Sequence, residues 1–235
     1  MKGISLLTGH IPATLNLFFC LVLGLSLSDG AHAQQQTPAA DAPASPAEPV
    51  PETEALQRQI ARARSLAAVG KLAASASELE ALRASTNDES ARSVARIMLM
   101  SVYIEMPDYA RAHALLDESY NARSAEPRES SIRSYYAMAG QSINGVRTHL
   151  ERYRMFGLNI ADGDLPAEAN TDLNQLRALL EQVVGQAKAI SEEEAKAGRA
   201  EKRSDTTALL EDAASVRLRL ARGEDDHAHW QTEVA

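Results

Sequence analysis

The chain has 235 residues, a formal net charge of −8, one cysteine and an aromatic content of 4%. An acidic chain without a basic stripe argues against nucleic-acid binding, whose affinity comes mainly from neutralising phosphates, and against docking on an anionic lipid surface. The single cysteine, Cys20, excludes an internal disulfide and any multi-cysteine metal site.

The N-terminal end reads as an export signal. Lys2 provides a short positive region, Leu15 to Leu27 is an apolar run, and Ala31-His32-Ala33 is a small-x-small cleavage site. A run of this length falls short of the roughly 20 apolar residues that span a bilayer as a helix. The reading is a signal peptide over residues 1–33, cleaved after Ala33, with a retained anchor as the alternative. Cys20 leaves with it, so the exported chain is stabilised by packing alone. Residues 34–51 hold five of the nine prolines (Pro38, Pro43, Pro46, Pro49 and Pro51) among Ala, Gln, Ser and Thr. With almost nothing to bury, this segment reads as a disordered linker of extended character.

From Glu52 onward only Pro107, Pro127 and Pro166 remain, each where a helix starts or a turn sits. Ala, Leu, Arg and Glu dominate, and no alternating β-branched run precedes residue 215, which gives an all-α composition. Six helices follow in order: Thr53–Val69, Leu72–Ser85, Glu89–Met106, Tyr109–Asn121, Pro127 to about Gln141, and Ile143–Phe156, the last stopped by Gly157 in the glycine position that closes helices. Lengths and spacings pair them into three helical hairpins. Three segments also align on one another, anchored at Leu72, Tyr109 and Ile143 in steps of 37 and 34 residues. A period in this range is a signature of helical-repeat architecture.

The middle unit, Ser93–Glu126, resembles a tetratricopeptide repeat. Leu99, Tyr103, Ala112, Leu116 and Ser119 stand where that family places large, aromatic, small, large and small residues. Ala112 marks a close crossing of two helices, and Leu99, Tyr103 and Leu116 fill the space around it. Met100 stands where the family has a small residue, and Ser124 where it usually ends the repeat with proline. The flanking units carry Leu66, Ser75, Leu79 and Leu82, and Ala137, Val146, Leu150 and Tyr153, at the corresponding places. The resemblance implies an all-α solenoid of about three hairpins over residues 52–157.

Residues 158–235 read as a C-terminal helical cap. Pro166 opens a long helix with Ala169, Leu173, Leu176, Leu180, Val183, Ala187 and Ile190 on a heptad seam. Either the seam lies along the last repeat as a cover, which terminal repeats need, or it forms a homodimer through 169–190. Thr206–Arg222 carries Leu209, Ala213, Val216 and Leu220 on one helical stripe. Its end, Val216 to Leu220, also alternates and fits a strand paired with His227–Val234.

Chemistry-bearing motifs are few. His227 and His229 beside Trp230 fall short of the three or four ligands a zinc site needs. His113 and His149 are ordinary helix positions. Asp162-Gly163-Asp164 lacks the ligand spacing and closing Glu of a calcium loop and reads as a turn. No nucleophile elbow, zinc-protease motif or phosphate loop occurs. The reading is therefore no enzyme, no metal and no cofactor. What remains is a surface. In helical repeats the first helix of each hairpin lines the concave face, and by this register that face carries Arg64, Ile97, Ser101, Ile104, Arg128, Tyr135 and Met138. It suits an extended or helical peptide held by cations and a rigid aromatic. The sequence thus predicts an exported, periplasmic or secreted scaffold that binds a protein or peptide partner, with structural self-association as the alternative and an α-helical enzyme as a distant third.

Overall fold

The computed structural model describes residues 52–125, 127–158, 160, 165–198 and 203–234. The expected signal peptide and linker, and the Asp162–Asp164 turn, lie outside the described residues. Every described element is an α-helix: α1 Glu52–Ala68, α2 Leu72–Ser85, α3 Glu89–Glu105, α4 Tyr109–Ala122, α5 Arg128–Met155, α6 Ala167–Lys196, α7 Arg203–Leu218 and α8 Gly223–Val234. The first four match the sequence boundaries to within a residue, because their stop and start signals are local. Gly70, at φ 74°, takes the left-handed conformation that ends α1, while Lys71 N–H returns to Leu66 O at 2.9 Å. Asp88 caps α3 by accepting from the Ser90 and Ala91 N–H groups at 2.8 and 3.1 Å. Asp108 caps α4 through Arg111 N–H at 3.2 Å.

The helices pack largely in chain order. Each lies against the next, and α1, α3, α5 and α7 also touch in succession, as do α4 and α6. Within the middle unit Ala112, Leu99 and Leu116 are fully buried, and Tyr103 and Ser119 nearly so. Ser75 is buried between α1 and α2, where its hydroxyl donates to Ala63 O at 2.8 Å. In the flanking units the correspondence loosens, for Leu66 is only half-buried and Ala137 is exposed.

One expectation is corrected and one alternative is decided. The third hairpin does not exist as drawn, because the expected helices on either side of Ser142 are one continuous helix, α5. Ser142 is buried and donates to Met138 O at 3.1 Å, so its hydroxyl is satisfied inside the helix instead of breaking it. Gly145, inside the expected helix Ile143–Phe156, serves packing. A Cβ built there would lie 2.8 Å from Ile104 Cδ1 and 3.0 Å from Cγ2, so only glycine lets α5 approach α3 this closely. α5 instead packs on α3 and α4, with α7 and α6 as further neighbours. The alternative concerns residues 206–234, where the helical reading stands over the β-hairpin in helices α7 and α8. Arg217 is the reason they stay together. It is buried, lies 4.8 Å above the Trp230 ring, and donates to both oxygens of Asp226 at 3.1 and 3.2 Å and to Glu181 at 2.8 Å.

The heptad seam of α6 is covered within the chain. Leu173, Leu176, Leu180, Val183 and Ala187 are fully buried, and α6 packs most extensively on α7, with α4 and α5 along its other side. The seam is thus no free dimer surface. On α8, Glu224, Asp225, His227 and His229 are exposed.

Candidate functional site

Of the seven residues expected to line a binding face, the structure puts three in the core. Tyr135 and Met138 are fully buried and Ile104 is 1% exposed. Ile104 packs against Gly145, and Tyr135 sits edge-on to Tyr120 at 5.7 Å between ring centres. These three are packing residues. Arg64 is exposed, and Ile97, Ser101 and Arg128 are half-buried. Ile97 lines a groove of about 690 Å³ between the first halves of α3 and α5 and the end of α4. Val94 and Ala137 share its apolar lining, and Ser90, Ser93, Ser130 and Ser134 supply hydroxyls. The Ser93 and Ser134 hydroxyls pair at 3.2 Å and link the two walls. Arg96 is engaged by Glu89 at 3.0 Å and by Glu118 at 3.7 Å, so the groove carries balanced charge.

A larger groove of about 1250 Å³ lies toward the other end of α5, bounded by the α3–α4 turn and the start of α6. Its floor is a polar cluster that sequence reasoning missed. Asp172 of α6 accepts from the hydroxyls of Tyr109 and Tyr153, the latter at 2.6 Å, and its Oδ2 lies 3.6 Å from His149 Nδ1. One carboxylate thereby joins α4, α5 and α6. Burial works against its ionisation, but the imidazole and the two hydroxyls outweigh it and hold the Asp172 carboxyl below the usual aspartate range. The same arrangement pushes both phenols upward, first through burial and then because each hydroxyl donates to an anion. His149, read from the sequence as an ordinary helix position, is 5% exposed, and its Nε2 is buried without a hydrogen-bond partner.

The only sequence signal for the cluster was the i, i+4 spacing of His149 and Tyr153. Tyr109 and Asp172 are 63 residues apart, so nothing in the sequence pairs them. Chemically, the cluster reads as a strut. The lone pairs of Asp172 are committed to donors that hold three helices in place, and the phenols are kept protonated. Elsewhere, His113 Nδ1 meets Gln182 Oε1 between α4 and α6, while His229 lies edge-on to Trp230. Among the described residues no group of three or more His, Cys, Asp or Glu is placed to hold a metal ion, and no helix is long and apolar enough to cross a membrane.

No protein-family model, curated protein or solved structure matches this chain.

Proposed function

We propose that this protein is a non-enzymatic interaction scaffold of the cell envelope, a tetratricopeptide-like stack of helical pairs that binds a protein segment on the face shared by α3 and α5. Export rests on the apolar run Leu15–Leu27 and the Ala31-His32-Ala33 site. The repeat reading is supported by the succession of α1, α3, α5 and α7 along one another, and by the burial of Leu99, Tyr103, Ala112, Leu116 and Ser119 around the α3–α4 crossing.

The observation that carries the binding reading is the groove beside Ile97. It is lined by small apolar and hydroxyl side chains, and its arginines are already paired with carboxylates. Such a lining suits an extended or helical peptide recognised by shape and a few hydrogen bonds. The experiment compares capture from envelope extract by the parent protein, by Ile97→Asp, and by a variant with Arg64 and Arg128 replaced by Glu. The expected result is a protein that is retained by the parent and lost from Ile97→Asp at unchanged helical content. Equal capture by all three argues against this face. Fractionation together with N-terminal sequencing checks export, with Gln34 as the expected first residue.

A further inference from the structure

The larger groove, of about 1250 Å³, carries an unbalanced charge. Among the described residues that line it, three are carboxylates, Asp108, Glu168 and Asp172, and one is an arginine, Arg152. Asp108 is engaged by Arg111 at 2.6 Å and Arg152 by Glu105 at 2.7 Å, partners that do not line the groove. Glu168 is exposed and forms no ion pair among the described residues. Burial opposes the ionisation of Asp172, but His149 and the phenols of Tyr109 and Tyr153 hold it below the usual aspartate range. Hydrogen bonds from neutral phenols leave its negative charge in place, so the groove is short of positive charge.

Much of the remaining lining is aromatic or apolar. Tyr109, Tyr153 and Phe156 bring three rings, and Met106, Ala110 and Leu158 add aliphatic surface. A phenol that donates to a carboxylate is polarised toward more negative charge on its ring, which strengthens the attraction of that ring for a cation. His149, also on the lining and 5% exposed, keeps Nε2 buried with no hydrogen-bond partner, a polar atom that the fold alone leaves unsatisfied.

From these features we infer that the groove binds a small organic ammonium ion with an apolar body, its charge near Glu168 and the Asp172 floor and its body against the rings. An anion is repelled by the two uncompensated carboxylates, and a neutral apolar molecule leaves Glu168 without a counter-ion. A metal ion gains nothing from the rings and aliphatic walls, and no group of three or more His, Cys, Asp or Glu is placed to hold one among the described residues. The site shares no lining residue with the Ile97 groove, so the two readings stand or fall separately.

The test is a ligand-observed NMR titration of the full chain with phenethylammonium and with phenethyl alcohol, its neutral counterpart of nearly the same shape. The amine is expected to bind about tenfold more tightly, through one exposed ion pair and contacts with the rings. Glu168→Gln weakens the amine about threefold to fivefold, leaves the alcohol unaffected, and leaves the circular dichroism unchanged because the residue is exposed. Phe156→Leu keeps apolar surface but removes a ring, and weakens the amine about twofold to threefold. Added salt narrows the preference for the amine. Equal affinity for amine and alcohol overturns the inference, as does the absence of amine binding at millimolar concentration. An amine indifferent to Glu168→Gln binds somewhere else and removes this groove as its site.

Discussion

The side chain of Ile104 on α3 fills the space that a side chain at position 145 of α5 would need. Ile104 is 1% exposed and has little room to move. Gly145→Ala should therefore destabilise the protein, although alanine is favoured over glycine by about 1 kcal/mol in a helix interior. Overpacking of about 1–3 kcal/mol outweighs that gain. Ile104→Val removes the atom closest to the new methyl, so the double variant should recover part of the loss in urea unfolding. An alanine variant as stable as the parent would mean that α3 and α5 are not this close.

Ala112 is fully buried where α3 and α4 cross. Ala112→Leu should cost about 1–3 kcal/mol and lower the thermal midpoint. Unchanged melting would show that the crossing lies elsewhere along α4.

The Asp172 cluster predicts both a mutational coupling and a pH dependence. Asp172→Asn should lose about 1.5–3 kcal/mol, the scale of hydrogen bonds to a charged acceptor. Tyr109→Phe and Tyr153→Phe should each cost less in the Asn background than in the parent. Because the folded carboxyl titrates below its unfolded range, its stabilisation is complete above about pH 4 and is lost as the pH falls through the lowered value. Unfolding followed from pH 6 down to pH 2, values chosen to bracket the aspartate range of about 4, should show a shallower acid loss in the Asn variant than in the parent.

The tyrosines predict the opposite limb. Burial and the nearby Glu80 push the Tyr103 phenol up to about 12, and burial raises Tyr109, Tyr135, Tyr136 and Tyr153 as well. A phenol raised in the folded state contributes stability below its unfolded value of about 10 and loses it as the pH climbs past that point. Phenolate absorbance and loss of helical signal should thus rise together in alkali. Smooth titration of these phenols near pH 10, an ordinary tyrosine value, with the helices intact would contradict the burial described here.

Trp230 is the only tryptophan of the chain and lies under Arg217, so its fluorescence reports on the docking of α8. Arg217→Met keeps much of the apolar stem but removes the bonds to Asp226 and Glu181. It should cost about 2 kcal/mol and shift the emission to the red before the bulk of the helix melts. Coincident transitions by fluorescence and circular dichroism would place α8 in the same cooperative unit as the rest.

Legibility of the fold follows the range of the forces involved. The boundaries of α1 to α4 were readable because Gly70, Asp88 and Asp108 act on backbone groups within a few residues. The α6 seam was readable as a buried stripe, but what buries it was not. The break expected at Ser142 misled, since its hydroxyl finds its acceptor, Met138 O, inside the helix instead of ending it.

By itself, the sequence determined the all-helical class, the ends of the first four helices and the burial of Leu99, Tyr103, Ala112, Leu116 and Ser119 in the α3–α4 unit, because propensity, capping and 3.6-residue periodicity are local. The tertiary structure alone decided that α5 runs unbroken, that α6 is covered by α7, and that Ile104, Tyr135 and Met138 are core instead of surface. It also brought Asp172 to Tyr109, Tyr153 and His149. These outcomes depend on which distant surfaces meet, and a contact between α4 and α6 leaves no periodic trace in either helix.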